Sequence, residues 1–268
     1  MRKHSFIVSG IAAVMMAGSV LLSWTPDTQL TSKVTGTDSA AVTTGSSSGK
    51  ALFEEYVTSI YESAGLSGTK LDFDTFRKAV TGYLNLKQGN LVSKPLLTIV
   101  DFTRSSREKR LWIVNLDDKK LLFNSLVAHG QGSGDDMAQS FSNVAETHQS
   151  SLGFYVTDDT YIGKHGLSLR LNGVDNGYNS NARDRAIVLH GAEYVSEQFI
   201  AQHGRLGRSY GCPAIPVDLT NKIIGVVKGK SVIFINGQDL RYNSAFLDQD
   251  KALSSFNQPT VATLQAKI

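Results

Sequence analysis

One cysteine, Cys212, stands among 268 residues, inside the string Gly207-Arg208-Ser209-Tyr210-Gly211-Cys212-Pro213-Ala214. A thiol attacks a carbonyl as its thiolate, a state promoted by a neighbouring base or cation. His190 is the best base available. It ends the apolar run Ala186-Ile187-Val188-Leu189 and precedes Gly191, so its ring is expected at the open end of a strand. Gly211, directly before the thiol, permits backbone angles barred to other residues and close approach of a substrate. The amides of Tyr210, Gly211 and Cys212 could converge on a developing oxyanion, to which Pro213 contributes none. Arg205 and Arg208 supply cations for a substrate carboxylate or for the thiolate, although a solvated loop would look the same. A strand-edge histidine alone is usually surface polarity, and a glycine-rich string alone is usually a turn. Together they point to nucleophilic acyl chemistry.

The start of the chain bears on that thiol. Arg2 and Lys3 precede an uncharged apolar run from Phe6 to Leu22, the pattern of a signal peptide over residues 1–24. Cleavage is expected after Ser19 or near Trp24-Thr25-Pro26, with a retained N-terminal anchor as the alternative. An exported chain enters an oxidising compartment, where a lone cysteine is either an intermolecular bridge or a reactive thiol. The expected location is therefore periplasmic or extracellular, with no membrane span after signal cleavage. Net charge is only +3 and falls if Arg2 and Lys3 leave with the leader. No long-range field would draw nucleic acid. No feature specifies an oligomeric state.

The elements that must hold these residues follow from the pattern. Residues 25–50 are rich in Ser, Thr, Gly and Ala and are expected to be a flexible linker. Residues 51–94 read as two amphipathic helices. The first carries Leu52, Phe53, Tyr56, Val57, Ile60, Tyr61 and Ala64 and ends at Gly65. The second starts at an Asp72 or Asp74 cap and carries Phe73, Phe76, Ala79, Val80, Tyr83 and Leu84. Such stripes usually mean packing against a core.

Residues 95–240 are expected to be β-rich. Strands are predicted at Leu96–Val100, Leu111–Val114, Leu121–Ala128, Leu152–Thr157, Ser168–Leu171, Ala186–Leu189 and Ser231–Ile235, with a helix capped by Asp218 before the last. Residues 241–268 are left as a C-terminal tail. The fold class is mainly β, a sandwich or open barrel with short helices, preceded by an N-terminal helical segment.

His190-Gly191 followed by Ser209-Tyr210-Gly211-Cys212 resembles the signature of the L,D-transpeptidase catalytic domain of bacterial cell-wall enzymes. The longer strings from Arg185 to Ser196 and from Gly204 to Ala214 are similar to its Gly-Cys-Pro branch. So are Phe141-Ser142-Asn143, Leu152-Gly153-Phe154-Tyr155 and Gly163-Lys164-His165-Gly166-Leu167-Ser168-Leu169. The resemblance covers roughly Leu96 to Asn236. Tyr210 stands where the family has histidine, Pro213-Ala214 where it has an apolar-Arg pair, and the interval from His190 to Cys212 is longer than usual.

The resemblance implies that Cys212 is the nucleophile and His190 its base, with Ser209 orienting His190 or adding a polar contact. Tyr210 and Gly211 would form the oxyanion site; Gly191, His165, Tyr194, Arg205 and Arg208 are the substrate-binding candidates. It further implies peptidoglycan stem peptides as partners, and a thioester that a second stem's amine or water resolves. Neither metal nor organic cofactor is expected. His129, in Ala128-His129-Gly130-Gln131-Gly132, lacks both the P-loop ending and the dinucleotide continuation and reads as a mobile loop near the cleft. His148, His165 and His203 lack zinc-ligand spacing. Three alternatives stand beside the transpeptidase: a hydrolase on the same fold, a non-catalytic wall-binding protein, and a papain-like protease. The last would place its cysteine before its histidine.

Overall fold

The computed structural model describes residues 43–257. The expected leader, most of the expected linker and the last residues of the expected tail lie outside the described residues. The first helix, α1, runs Thr43–Ser63, so residues 43–50, expected in the linker, are helical. Once a helix is nucleated, each added residue gains a hydrogen bond, which can carry even a Ser/Gly string into the helix. Phe53, Val57 and Ile60 form its fully buried stripe, and Gly65 follows in the left-handed region at φ 62°.

Helix α2 spans Phe73–Gln88, with the Asp72 carboxylate capping the Thr75 amide at 2.8 Å. Phe76, Ala79, Val80, Tyr83 and Leu84 are buried as the spacing predicts. Between them Gly82 lets the Phe154 ring rest on the helix backbone: a Cβ there would lie 2.0 Å from the ring.

Eight strands make one mixed sheet: β1 Leu96–Asp101, β2 Leu111–Asn115, β3 Lys120–Ser125, β4 Gly153–Gly163, β5 Gly166–Gly173, β6 Val188–Gly191, β7 Ala214–Ile215 and β8 Val232–Asn236. Their order is β3-β2-β1-β8-β4-β5-β6-β7. β1–β8 and β6–β7 are parallel and the other pairs antiparallel. The central strands are apolar on both faces because both are covered. From β8, Val232 and Phe234 join α1 and α2 in one core, whereas Ile233 and Ile235 join a second with Tyr155, Leu169, Leu189 and Ile224. Beyond β3 the chain bridges the opposite edge, Ala128 to Ala214 and Gly130 to Ser209. The sheet is thus a nearly closed barrel rather than a sandwich, and Leu126, Ala128, Val195, Leu206 and Ala214 fill the seam.

Two expectations need correcting. The segment 241–268 is no loose tail through residue 257. Its helix α5, Gln249–Asn257, packs Phe256 against Phe53 and Tyr56 at 5.9 and 5.6 Å between ring centroids. Asn85 holds the carbonyls of Phe246 and Asp248 at 2.8 Å each. Tyr242 and Ser244 donate to the buried Asp175 carboxylate, which also accepts the Phe154 amide. Helix α4, Val217–Val227, has Pro216 at its N-cap; Asp218 lies inside the first turn, where its charge suits the helix dipole. The long interval between His190 and Cys212 contains helix α3, Glu197–His203, capped by Ser196 and ended by Gly204 at φ 73°.

Gly82→Ala should cost about 1–3 kcal/mol by forcing Phe154 out of place, read as a lower urea midpoint with an unchanged m-value.

Candidate active site

The ladder β5–β6–β7 positions the histidine. Ser168 and Ala214 flank His190 in register. Leu189 points into the barrel core, so alternation turns His190 to the other face. Its ring is 2% exposed. Nδ1–H donates to the Gly191 carbonyl at 2.9 Å, which leaves the lone pair on Nε2. Burial pushes the imidazole below its ordinary pKa against the pull of the Gly191 bond, and His165 and Lys164 push the same way. His190 is therefore neutral near pH 7. The β4–β5 hairpin, whose ladder shifts register between Thr157 and Thr160, carries His165 at its tip. That ring stacks on His190 at 4.4 Å.

The cysteine turn is held by backbone and by Ser209. Ser209 Oγ donates to the Cys212 carbonyl at 2.5 Å and accepts the Gly211 amide at 3.1 Å. The Ser209 amide and carbonyl pair with the His129 carbonyl and Gln131 amide at 3.0 and 2.8 Å. Gly211 adopts φ 120°, and a Cβ on it would lie 2.9 Å from the Gln149 carbonyl oxygen. Cys212 Sγ accepts the Val188 amide at 3.4 Å and faces the Ala186 carbonyl at 3.7 Å. Ala186 is itself strained at φ 52°. Cys212 thus lies two residues before Ala214, alongside Val188, which lies two residues before His190. Such diagonal neighbours are about 7–8 Å apart, within reach of long side chains. Among the described residues no hydrogen bond joins the two side chains.

Burial raises the Cys212 thiol above its ordinary pKa, opposed by the Val188 amide, Arg185 and Lys164. The expected cations are placed elsewhere. Arg208 pairs with Asp135 at 2.7 Å, and Arg205 approaches the same carboxylate at 3.9 Å. Arg185 opens the string that runs to Ser196, and no spacing rule singles it out. Its guanidinium donates to the carbonyls of Ser142 and Gln149 at 2.6 and 2.7 Å and to Ser151 Oγ.

Other expectations also change. Ser209 touches the turn, not His190. Because Ser209 occupies the Gly211 amide, the free donors of the turn are the Tyr210 and Cys212 amides, which make no hydrogen bond among the described residues. The Tyr210 side chain is 64% exposed and stacks on His148 at 4.4 Å. Gly191 is a packing glycine: a Cβ would meet Thr220 Oγ1 at 2.2 Å. Tyr194 does border the thiol, its hydroxyl pushed up to about 12 by burial and by Cys212.

His129 is not in a mobile loop. It is 1% exposed, and its Nδ1 faces Arg110 Nη2 at 2.8 Å. Arg110 is fully buried and also grips the Val127 carbonyl at 3.0 Å. Burial and Arg110 push His129 from 6.5 to about 4. This buried pair props the segment on which Ser209 is zipped. Among the described residues, no group of three or more His, Cys, Asp and Glu side chains is arranged to hold a metal ion, and no helix is long and apolar enough to cross a membrane.

The fold and the site belong together in one class of protein. The family model described as the L,D-transpeptidase catalytic domain matches residues 67–236, and the chain belongs to that family. The match begins ahead of α2, so it takes in a helix expected to lie outside the catalytic domain at 95–240. No curated protein matches the sequence. Solved structures it is similar to include an L,D-transpeptidase from Mycobacterium smegmatis, at 11% identity and TM-score 0.33, over 54% of this chain and 60% of that one. Another is the helical cell shape determining protein from Campylobacter jejuni, at 15% identity and TM-score 0.40, over 66% and 60%. A third is an L,D-transpeptidase from Stackebrandtia nassauensis, at 16% identity and TM-score 0.32, over 69% and 78%. The chain spans less than two thirds of the length of the first two.

Replacing Arg185 by Gln should raise the Cys212 pKa further and slow iodoacetamide alkylation at pH 8 by about three- to tenfold, because less of the thiol is then thiolate. Titrating the alkylation rate of both proteins against pH measures it. For His129, the unfolded chain binds the extra proton first. The stability that the neutral ring contributes is present above 6.5 and is lost as the pH falls towards about 4, up to about 3 kcal/mol. His129→Gln, which keeps an acceptor for Arg110, should flatten that part of the urea-stability profile.

Proposed function

We propose that the protein is an exported cysteine acyltransferase of the L,D-transpeptidase type, acting on peptidoglycan stem peptides in the periplasm or outside the cell. The observation that carries this reading is a neutral histidine, its Nε2 lone pair unused, next to a half-buried thiol on the adjoining segment.

Burial raises the thiol and lowers the imidazole, so the resting pair is neutral rather than a preformed thiolate–imidazolium. His190 then works as a general base: Nε2 takes the thiol proton as Sγ attacks the carbonyl of the third stem residue, a diamino acid. For this step the thiol turns from the Ala186 carbonyl towards Nε2. The amides of Tyr210 and Cys212 stabilise the oxyanion. The C–N bond to the terminal D-alanine breaks, the imidazolium protonates that amine, and a thioester remains. The side-chain amine of a second stem then attacks, losing its proton to His190, and the collapsing intermediate restores the thiol. Arg185 lowers the cost of negative charge on sulfur, Ser209 holds the turn, and Tyr194 and His165 border the acyl group.

Cys212→Ala and His190→Ala should each lower turnover of a disaccharide-tetrapeptide at least about a hundredfold, followed by mass spectrometry. Wild-type protein should release D-alanine and form cross-linked dimer; tripeptide alone would identify a hydrolase instead. A carbapenem should add its mass to the wild type but not to Cys212→Ala. Full dimer formation by Cys212→Ala would sink the proposal.

A further inference from the structure

Arg185 does more than face the thiol. Its guanidinium braces the walls of two adjoining open clefts, of about 540 and 500 Å3, that the mechanism above does not use. Ser142, whose carbonyl it holds at 2.6 Å, lines the first; Gln149, held at 2.7 Å, lines the second. The Gln149 carbonyl is also the atom that Gly211, the residue before Cys212, packs against. Gln149 thus stands between the second cleft and the turn that carries the proposed nucleophile. Phe141 divides them, seated so tightly on Gly237 that a Cβ there would meet its ring at 2.5 Å.

The chemistry of the lining is specific. The only charges are Asp239 and Arg241, which satisfy each other through two side-chain bonds of 2.9 and 2.8 Å. The second cleft presents the side-chain amides of Gln139, Gln149 and Gln238, none of which bonds to the protein among the described residues. Aromatic walls complete the site: Phe141, and Tyr178, which is fixed edge-on to Tyr242 at 5.0 Å and donates its hydroxyl to the Arg241 carbonyl. Free amides between aromatic faces, with no unpaired charge, suit a neutral ligand dense in hydroxyl and acetamido groups. A stem peptide carries free carboxylates and would call for an unpaired cation.

We infer that these two clefts bind the N-acetylated sugar backbone of the substrate, so that the enzyme holds its glycan beside the peptide it cuts. The choice of glycan rests on the proposed function; the site itself does not.

The test is a titration of the protein with chitotetraose, followed by NMR or calorimetry, in Cys212→Ala and in the same protein carrying Tyr178→Ala or the exposed Gln238→Ala. Saturable binding in the parent, weakened at least tenfold by either cleft substitution, is expected. In the active enzyme the same substitutions should remove most of the preference, in kcat/KM, for disaccharide-tetrapeptide over sugar-free tetrapeptide. No saccharide binding, or binding and preference unaffected by both substitutions, would overturn the inference. Saccharide binding by a protein that turns over neither peptide would leave this site standing and remove the transpeptidase reading.

Discussion

The site depends on a parallel ladder only two residues long, His190 beside Ala214 and Gly191 beside Ile215. Such a ladder is too short to hold itself. It persists because Ala214 is also bridged by Ala128 from the far edge of the sheet, and because the seam buries Leu126, Val195 and Leu206. Barrel closure is thus the step that carries Cys212 to the Val188 amide, two residues along β6 from His190. Fully burying an aliphatic side chain contributes about 1.5–3 kcal/mol, so the seam outweighs the few ladder bonds it protects.

Closure also explains the electrostatics. A thiol and an imidazole taken out of water both favour their neutral forms, as the opposite shifts of Cys212 and His190 record. The guanidinium of Arg185, itself tied to three oxygens, offsets part of that cost at the sulfur without forming an ion pair. The same exclusion of water sets Arg110 against His129 beneath the cysteine turn. His129 stays neutral there and accepts a hydrogen bond from the buried Arg110 cation, which would cost more without an acceptor.

Much of the fold was legible in the sequence. The stripes of α1 and α2 and the apolar runs of β1, β2 and β8 are local patterns, and each is long enough to show its period. β7 and α3 were not legible. A two-residue strand has no period, and α3 has no buried side chain. The docking of α5 has no local signal, because Phe246, Leu247, Ala252 and Phe256 make sense only against the surface of α1 and α2. The arginines show the same limit: Arg205 and Arg208 are near Cys212 in the chain, whereas Arg185 is near it in space, and Asp135 neutralises the first two.

By itself the sequence determined the reactive types and their order: a lone thiol after a glycine, and a histidine-glycine pair at the end of an apolar run. Those are local facts, carried by residue chemistry and by the conformations glycine permits. Only the tertiary structure decided which groups meet. It assigned Ser209 to the turn, Gly191 to packing against Thr220, the free amides to Tyr210 and Cys212, and the nearby cation to Arg185. Charge and hydrogen bonding act over a few ångströms in space, and a barrel closed by its seam sets those distances without regard to separation along the chain.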